Sequence, residues 1–357
     1  MTAATSPHGA PRWPWWIALG AVGLAGGLVG GVIANAANWG GSSASTAQSC
    51  PVTATANRAL PSVVTISANG GSGAGTGSGE VIRSDGYILT NNHVIAVAAD
   101  GGSVQVIFSD GASADATITG RDPQTDLAVL KVDPPHPLKV IALGSSASVR
   151  VGAPVVALGA PLGLSNTVTA GIVSALDRTV QVPGENDQNA LLTSAVQTDA
   201  AINPGNSGGA LVNCAAQLVG VPTAGANVPS DSGGGSIGLG FAIPVDLAKR
   251  LSDEIIATGR VTHAYFGLST VPISPAAAKQ AGVPEGLFVT GVQAGGPSDQ
   301  AGLRVRDVIT TIDGQKATNN DQLVIITLTK KAGDTVSIGY ERGGQAAKTT
   351  VTLGSQP

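Results

Sequence analysis

The sequence predicts a mostly β protein: a long first domain of two packed barrels, a smaller mixed second domain, and an apolar helix ahead of both. Three observations carry this. Between Ser62 and Ile243, short β-like runs follow one another (V-V-T-I-S, Y-I-L-T, S-V-Q-V-I-F, A-T-I-T, L-A-V-L-K-V, P-V-V-A-L-G, V-T-A-G-I-V, A-L-V, Q-L-V-G-V), broken by Gly, Pro, Asn and Asp. Glycine supplies 50 of 357 residues, about twice its usual share, beside many Val, Thr and Ile. That mixture favours short strands joined by tight turns. No long helical period interrupts the runs before Pro244. The pattern favours a sandwich or barrels over alternating β/α units, and about a dozen strands suit two six-stranded barrels.

Composition excludes several classes. Hydrophobic residues make up 43%, too many for wholesale disorder. Glycine without a G-X-Y period excludes collagen. The net charge is −4, against the basic face of a nucleic-acid binder. The stretch N-G-G-S-G-A-G-T-G-S-G fails the G-x-G-x-x-G pattern and is read as a glycine-rich loop, not a nucleotide cradle. The two cysteines, Cys50 and Cys214, are too few for a disulfide scaffold, and no His/Cys spacing suggests zinc. No metal or cofactor is expected.

From Trp13 to Asn57 there is no charged residue, and Trp15 to Ala34 is an apolar run of 20. As a helix it spans roughly 30 Å, the thickness of a bilayer core. Trp13, Trp15 and Trp16 stand at one end, where indoles favour the interface, and Arg12 keeps the leader cytoplasmic. Residues 1–12 then form a cytoplasmic leader, 13–34 a transmembrane anchor and 35–56 a flexible tether. A cleaved signal peptide is the other reading, because Ala34-Asn35-Ala36 has the small-x-small pattern of a cleavage site. Both readings put the rest of the chain outside the cytoplasm, membrane-tethered or secreted. In such a compartment Cys50 and Cys214 can pair and pin the tether to the folded domain, or stay free.

The first convincing helix runs from Pro244 to Gly259, with Val245, Leu247, Ala248, Leu251, Ile255 and Ile256 at helical spacing. It closes the first domain, taken as 57–261. Residues 262–357 contain V-P-E-G-L-F-V-T-G-V, D-V-I-T-T-I-D-G, a helix candidate N-N-D-Q-L-V-I-I-T-L-T, T-V-S-I-G-Y and K-T-T-V-T-L. About five strands and one or two helices fit this module, and Asp313-Gly314 signals a hairpin.

Four histidines allow elimination. His8 lies in the leader, His136 in the exposed turn P-P-H-P, and His263 after the closing helix. His93, in T-N-N-H-V-I, follows the apolar run Tyr87 to Leu89, where a strand end would hold a general base rigidly. A second signal is P-G-N-S-G-G, Pro204 to Gly209. Missing side chains there let a substrate carbonyl reach the backbone, and the N–H groups of Gly205 and Ser207 can converge as an oxyanion hole. A carboxylate must orient the histidine. Asp126 precedes the apolar strand L-A-V-L-K-V and is preferred over Asp122, expected to cap a turn or face solvent, and over Asp199. His93, Asp126 and Ser207 then form a catalytic triad. G-N-S-G-G also matches the elbow of α/β-hydrolases, which would need Asp231, Asp246 or Asp253 with His263. The strand-rich pattern lacks the helices that fold requires.

T-N-N-H-V-I, T-D-L-A-V-L-K-V and Q-T-D-A-A-I-N-P-G-N-S-G-G, followed by G-L-G-F-A-I-P, together resemble the HtrA/DegP-type serine proteases over about 150 residues. The resemblance implies a chymotrypsin-like double β-barrel with an endopeptidase site at His93, Asp126 and Ser207, acting on unfolded or misfolded proteins. It also puts the Gly205 backbone at the oxyanion hole. The C-terminal block resembles that family's single PDZ domain. Tyr265, Phe266, Gly267 and Leu268 match its carboxylate-binding loop, and Leu323 and Ile326 would line the apolar slot for a peptide C-terminus. In this fold Ala201 stands at the floor of the specificity pocket, and the segment from Leu239 through Phe241 to Ile243 supplies its wall. An uncharged floor implies cleavage after small or medium aliphatic residues. Glu80 stands where an apolar residue is usual. Family trimers use aromatics near the start of the protease domain, and residues 50–64 contain none, so a homo-oligomer is only weakly implied. The alternative reading is a latent or chaperone-like peptide-binding protein.

Overall fold

Six strands, β1 (Val63–Gly70), β2 (Gly73–Val81), β3 (Tyr87–Thr90), β4 (Ser103–Ile107), β5 (Ser113–Asp122) and β6 (Leu127–Val132), close into a barrel in the order β1-β2-β3-β6-β5-β4. The computed structural model describes residues 50–71, 73–160, 166–183, 189–223 and 236–356. The apolar run 15–34, its leader and most of the tether lie outside the described residues, as does Asp231. Among the described residues no helix is long and apolar enough to cross a membrane.

The second barrel uses β8 (Pro154–Gly159), β9 (Thr167–Pro183), β10 (Asn189–Thr198), β11 (Ala210–Asn213), β12 (Gln217–Thr223) and β13 (Gly240–Pro244). The order is β11-β8-β9-β10-β13-β12, shut by β11 against β12, with the short β7 (Ala142–Leu143) added parallel to β12. Two six-stranded barrels are therefore observed.

The alternation of L-A-V-L-K-V explains how the barrels meet. Ala128, Leu130 and Val132 fill the first barrel with Ile66, Ile88 and Val106. Leu127 and Val129 face the other way, into a shared cluster with Leu89, Val221, Ile243, Leu251 and Ile255. A strand buried on both faces reads as an unbroken apolar run. So β3 and β6 lie at the seam, paired in register from Tyr87↔Lys131 to Thr90↔Ala128.

Two expectations are corrected. The glycine stretch 73–79, read as a loop, belongs to β2 and pairs with β1 from Gly70↔Gly73 to Val63↔Glu80. Glycine is needed there for close approach: a Cβ on Gly75 would sit 2.4 Å from the Val94 carbonyl, and one on Gly77 2.6 Å from Val94 Cγ2 and 3.0 Å from the Ser207 carbonyl. The end of the tether is also ordered, because Val52–Ala59 forms helix α1. Its Ala56 and Ala59 pack with Val63, Val156, Leu158 and Leu218. Cys50 is bonded to Cys214, with Cα atoms 5.1 Å apart.

A short helix, α2 (Asn92–Ile95), follows β3 directly. Helix α3 (Val245–Thr258) starts after Pro244 and ends at Gly259, whose φ of +79° is left-handed, as a C-terminal glycine stop requires. Ala248, Leu251 and Ile255 bury its inner face on the seam cluster.

The second domain adds β14 (Ala264–Tyr265), β15 (Leu268–Ile273), α4 (Pro275–Ala281), β16 (Gly286–Val292), α5 (Pro297–Gln300), β17 (Val308–Ile312), β18 (Gln315–Lys316), α6 (Asp321–Thr329), β19 (Thr335–Arg342), β20 (Gln345–Thr352) and β21 (Gly354–Ser355). Its sheet runs β15-β16-β17-β19-β20, so β15 is an edge, and β14 pairs with β21. Asp313 and Gly314, both at positive φ, form the two-residue turn between β17 and β18.

Glu80 is fully buried on β2 beside Val63 and Leu89, and among the described residues neither carboxylate oxygen has a hydrogen-bond partner. Burial holds its carboxyl well above its ordinary value of 4.5, outweighing a lowering contribution from its own backbone. A carboxyl raised in the folded state contributes most below about pH 4.5 and loses that contribution as pH rises through its folded value. Glu80→Met is therefore expected to stabilise the protein by about 1–3 kcal/mol near pH 7.5 and by less near pH 4.5. Urea midpoints at the two pH values measure this, and an equal shift at both would contradict it.

Candidate active site

The seam strands bring the first two candidate residues together. His93 follows β3 on α2, Asp126 immediately precedes β6, and those strands pair. His93 Nδ1 lies 2.9 Å from Asp126 Oδ2 and 3.1 Å from Oδ1. The His93 backbone N–H donates to Oδ1 at 2.9 Å, and the Thr223 hydroxyl donates to Oδ2 at 2.9 Å. Asp126 is buried, while the imidazole keeps about a third of its surface exposed, its side chain at 34%. The carboxylate thus fixes ring position and tautomer, leaving Nε2 as a proton acceptor.

Thr223 was not singled out in the sequence. Its hydroxyl is buried at the end of β12, 97 residues from Asp126. Only the polar ending of the apolar run G-V-P-T hinted at it.

Burial pulls the His93 pKa down, but the hydrogen bond and charge of Asp126 together outweigh this and leave it above 6.5. A general base works unprotonated. Activity is therefore expected to fall with acidification, with the acid limb of kcat/KM centred above pH 6.5. A pH–rate profile centred at or below 6.5 would contradict this.

The Ser207 segment packs directly on the histidine segment. A Cβ on Gly208 would meet the Ser78 carbonyl at 2.3 Å, Thr90 Oγ1 at 2.4 Å and Asn91 N at 3.0 Å. Ser78 N–H donates to the Ser207 carbonyl at 2.9 Å, and the Ser78 hydroxyl to the Gly205 carbonyl at 2.6 Å. Gly205 and Gly208 both hold positive φ, +98° and +77°. The N–H groups of Asn206, Gly208 and Gly209 are bonded to the carbonyls of Asn203, Pro222 and Asn206. Those of Gly205 and Ser207 have no acceptor among the described residues. A turn with two free donors beside a hydroxyl is chemically suited to hold an oxyanion. Among the described residues Ser207 Oγ itself makes no hydrogen bond, to His93 or to any other group.

The other candidates separate. Asp199 is exposed and accepts from Ile172 N–H at 2.7 Å. Asp122 caps its turn but is buried, not solvent-facing, because His263 lies against it at 2.9 Å. Asp246 caps the Ser145–Ala147 turn and Asp253 pairs with Lys249. No described acid of that set reaches His263. Among the described residues no cluster of His, Cys, Asp or Glu could hold a metal.

The expected pocket wall is partly corrected. Ile243 lies in the seam core at 1% exposure, with Phe241 on the same strand face, because residues two apart in a strand share a face. Leu239 is 43% exposed. Ala201 stays beside the Ser207 turn, its carbonyl accepting from Asn206 Nδ2 at 3.3 Å and Thr169 Oγ1 at 2.9 Å.

In the second domain Gly267 has a φ of +70°. Tyr265 hydrogen-bonds Gln293, and Phe266 is buried. The carbonyls of Phe266 and Gly267 are bonded to Ser298 N–H and Gln293 N–H, while their own N–H groups have no acceptor among the described residues. Leu268 begins the edge strand β15. Leu323, expected in an open slot, is 7% exposed in the domain core, with Ile326 against it and Val324 facing outward. The stretch L-V-I-I is apolar all round, so helical spacing alone could not select the open face.

Residues 77–221 match the trypsin-like peptidase domain family and residues 264–353 the PDZ domain family. The chain is 44% identical over 309 residues to the serine protease PepD of Mycobacterium tuberculosis (strain ATCC 25618 / H37Rv), covering 84% of this chain and 65% of that protein. It is 39% identical over 282 residues to the periplasmic pH-dependent serine endoprotease DegQ of Escherichia coli (strain K12), covering 78% of this chain and 59% of that protein. The chain thus spans less than two thirds of the length of these relatives. Among solved structures, the HtrA-type protease AlgW with decapeptide superimposes with a TM-score of 0.68 at 35% identity, covering 86% of this chain and 99% of that one. The chain belongs to the HtrA-type serine proteases, with a trypsin-like peptidase domain followed by a PDZ domain.

Proposed function

We propose that the chain is an exported serine endopeptidase, tethered through residues 13–34, that cleaves unfolded or misfolded proteins after small or medium aliphatic residues and docks peptide C-termini on its PDZ domain. One arrangement carries the reading: a buried carboxylate orients His93 while the N–H groups of Gly205 and Ser207, beside the Ser207 hydroxyl, have no acceptor among the described residues. In the reaction Ser207 Oγ attacks the scissile carbonyl and its proton passes to His93 Nε2. The tetrahedral oxyanion accepts from the two free N–H groups, each contributing about 3 kcal/mol. As the C–N bond breaks, His93 returns the proton to the leaving amine. Water then hydrolyses the Ser207 ester, with His93 again as base. Uncharged Ala201 beside the turn supports the aliphatic preference, and the periplasmic name of DegQ supports export.

Fluorophosphonate labelling of the intact protein, with Ser207→Ala as control, tests the activity. Fragment mapping of a digested unfolded protein tests the preference, and cutting after Lys or Arg would exclude it. One observation favours a latent resting form, the absence of a hydrogen bond from Ser207 Oγ among the described residues. Labelling that appears only with added peptide supports latency. No labelling under either condition supports a chaperone-like peptide-binding protein instead.

For the PDZ domain, the free N–H groups of Phe266 and Gly267 suit a terminal carboxylate, and β15 is open to an added strand. Thr270 and Asn320 already span that edge: Thr270 Oγ1 donates to Asn320 Oδ1 at 2.7 Å, and Asn320 Nδ2 to the Thr270 carbonyl at 3.0 Å. An entering strand competes for that carbonyl. Asn320→Ala is therefore expected to tighten binding of a peptide with a free apolar C-terminus several-fold. Fluorescence anisotropy reads this, and weaker binding would mean Asn320 contacts the peptide.

A further inference from the structure

Four residues before Asp126, Asp122 forms a second histidine–aspartate pair, this one buried on both sides. His263 and Asp122 are 6% and 4% exposed. His263 Nε2 lies 2.9 Å from Asp122 Oδ1 and 3.0 Å from Oδ2. Asp122 also ties together the turn that leads to Asp126. Gln124 N–H donates to its Oδ1 at 3.3 Å and the Thr125 hydroxyl to its Oδ2 at 2.5 Å. The outside of the turn is held by Leu191 N–H on the Gln124 carbonyl at 3.1 Å and by Gln124 Nε2 on Gln356 Oε1 at 3.1 Å.

The turn matters because Asp126 has a φ of +58°. That left-handed region is disfavoured for residues other than glycine, and here the neighbouring hydrogen bonds hold the backbone in it. On one side Asn91 Nδ2 and Asn92 N–H bind the Asp126 carbonyl at 2.8 and 3.2 Å. On the other, the turn rests on His263. That residue lies beyond α3, outside both barrels, and directly precedes β14.

We infer that His263 is a positioning residue for the peptidase site: through Asp122 it sets the turn that presents the Asp126 carboxylate to His93. The segment joining the two domains thereby completes a site whose other parts lie in the barrels. The purpose of the pair rests on the proposed peptidase reading, but its geometry can be tested without turnover.

The titration of His93 is followed by NMR in the full-length, histidine-labelled Ser207→Ala protein, its signal identified by loss in His93→Ala. In His263→Ala the His93 midpoint is expected to move down, because Asp126 reaches the ring less well. In His263→Gln, whose amide can donate to Asp122, it is expected to stay at the parent value. Asp122→Asn offers a second route should His263→Ala fail to fold, with the same downward movement. In the Ser207 background, kcat for a peptide substrate is expected to fall about 10–100-fold in His263→Ala while KM changes less than about twofold, the pattern of a lost transition-state contribution. An unchanged His93 midpoint in folded His263→Ala or Asp122→Asn would overturn the inference. A wild-type protein without turnover, but with the midpoint still moving on substitution, would remove the peptidase reading and leave the positioning role standing.

Discussion

Asp126→Asn is expected to lower kcat by about 10⁴-fold without unfolding the protein. The geometry gives the reason. Asp126 Oδ1 must accept the His93 backbone N–H at 2.9 Å, so the amide keeps its oxygen at that corner. Its NH₂ then replaces Oδ2, which faces His93 Nδ1 and the Thr223 hydroxyl, each at 2.9 Å. Thr223 can rotate its hydroxyl to accept. The ring can accept only by giving up its Nδ1 proton, which moves the proton to Nε2. A ring protonated at Nε2 cannot take the Ser207 proton. Steady-state kinetics on a peptide substrate, beside thermal unfolding of the same preparation, measure this. A loss under about tenfold with an unchanged melting profile would mean that Asp126 does not set the tautomer.

Removing the Cys50–Cys214 bridge is expected to destabilise the folded unit by about 2–5 kcal/mol. The two residues are 164 apart in sequence, and a loop of that length has a closure entropy worth about 5 kcal/mol in the unfolded chain. Thr55 Oγ1 donates to the Cys214 carbonyl at 3.2 Å, and Ala56 and Ala59 hold α1 on the core. Helix α1 is eight residues long, too short to persist without its packing, so its end should fray first. Urea unfolding of the oxidised protein is compared with that of Cys50→Ser/Cys214→Ser. Coincident midpoints would show that the bridge constrains nothing.

Much of the candidate site was legible because its signals are local. T-N-N-H-V-I, T-D-L-A-V-L-K-V and P-G-N-S-G-G each combine a polar group with the strand or glycine turn that presents it. Asp126 could be preferred over Asp122 because it abuts a run buried on both faces. What Asp122 does instead was hidden, since its partner His263 lies 141 residues away. The left-handed backbone of Asp126 carries no sequence mark, because aspartate adopts many conformations and its neighbours impose this one. The strand at Gly73–Val81 reads as a loop for a related reason. Glycine normally weakens a strand, and here the approach of Val94 and Ser207 requires it.

Periodicity, composition and motif order thus carried the two barrels, the closing helix, the mixed C-terminal module and three of the residues that could do chemistry. Each depends on interactions within a few residues of chain, or on solvent averaged over a face. The packed molecule assigned Thr223 to Asp126, His263 to Asp122, Ile243 to the seam and Leu323 to a core. Those assignments arise where segments distant in the chain pack together and exclude water, and there a side chain's role is set by what it meets across the gap.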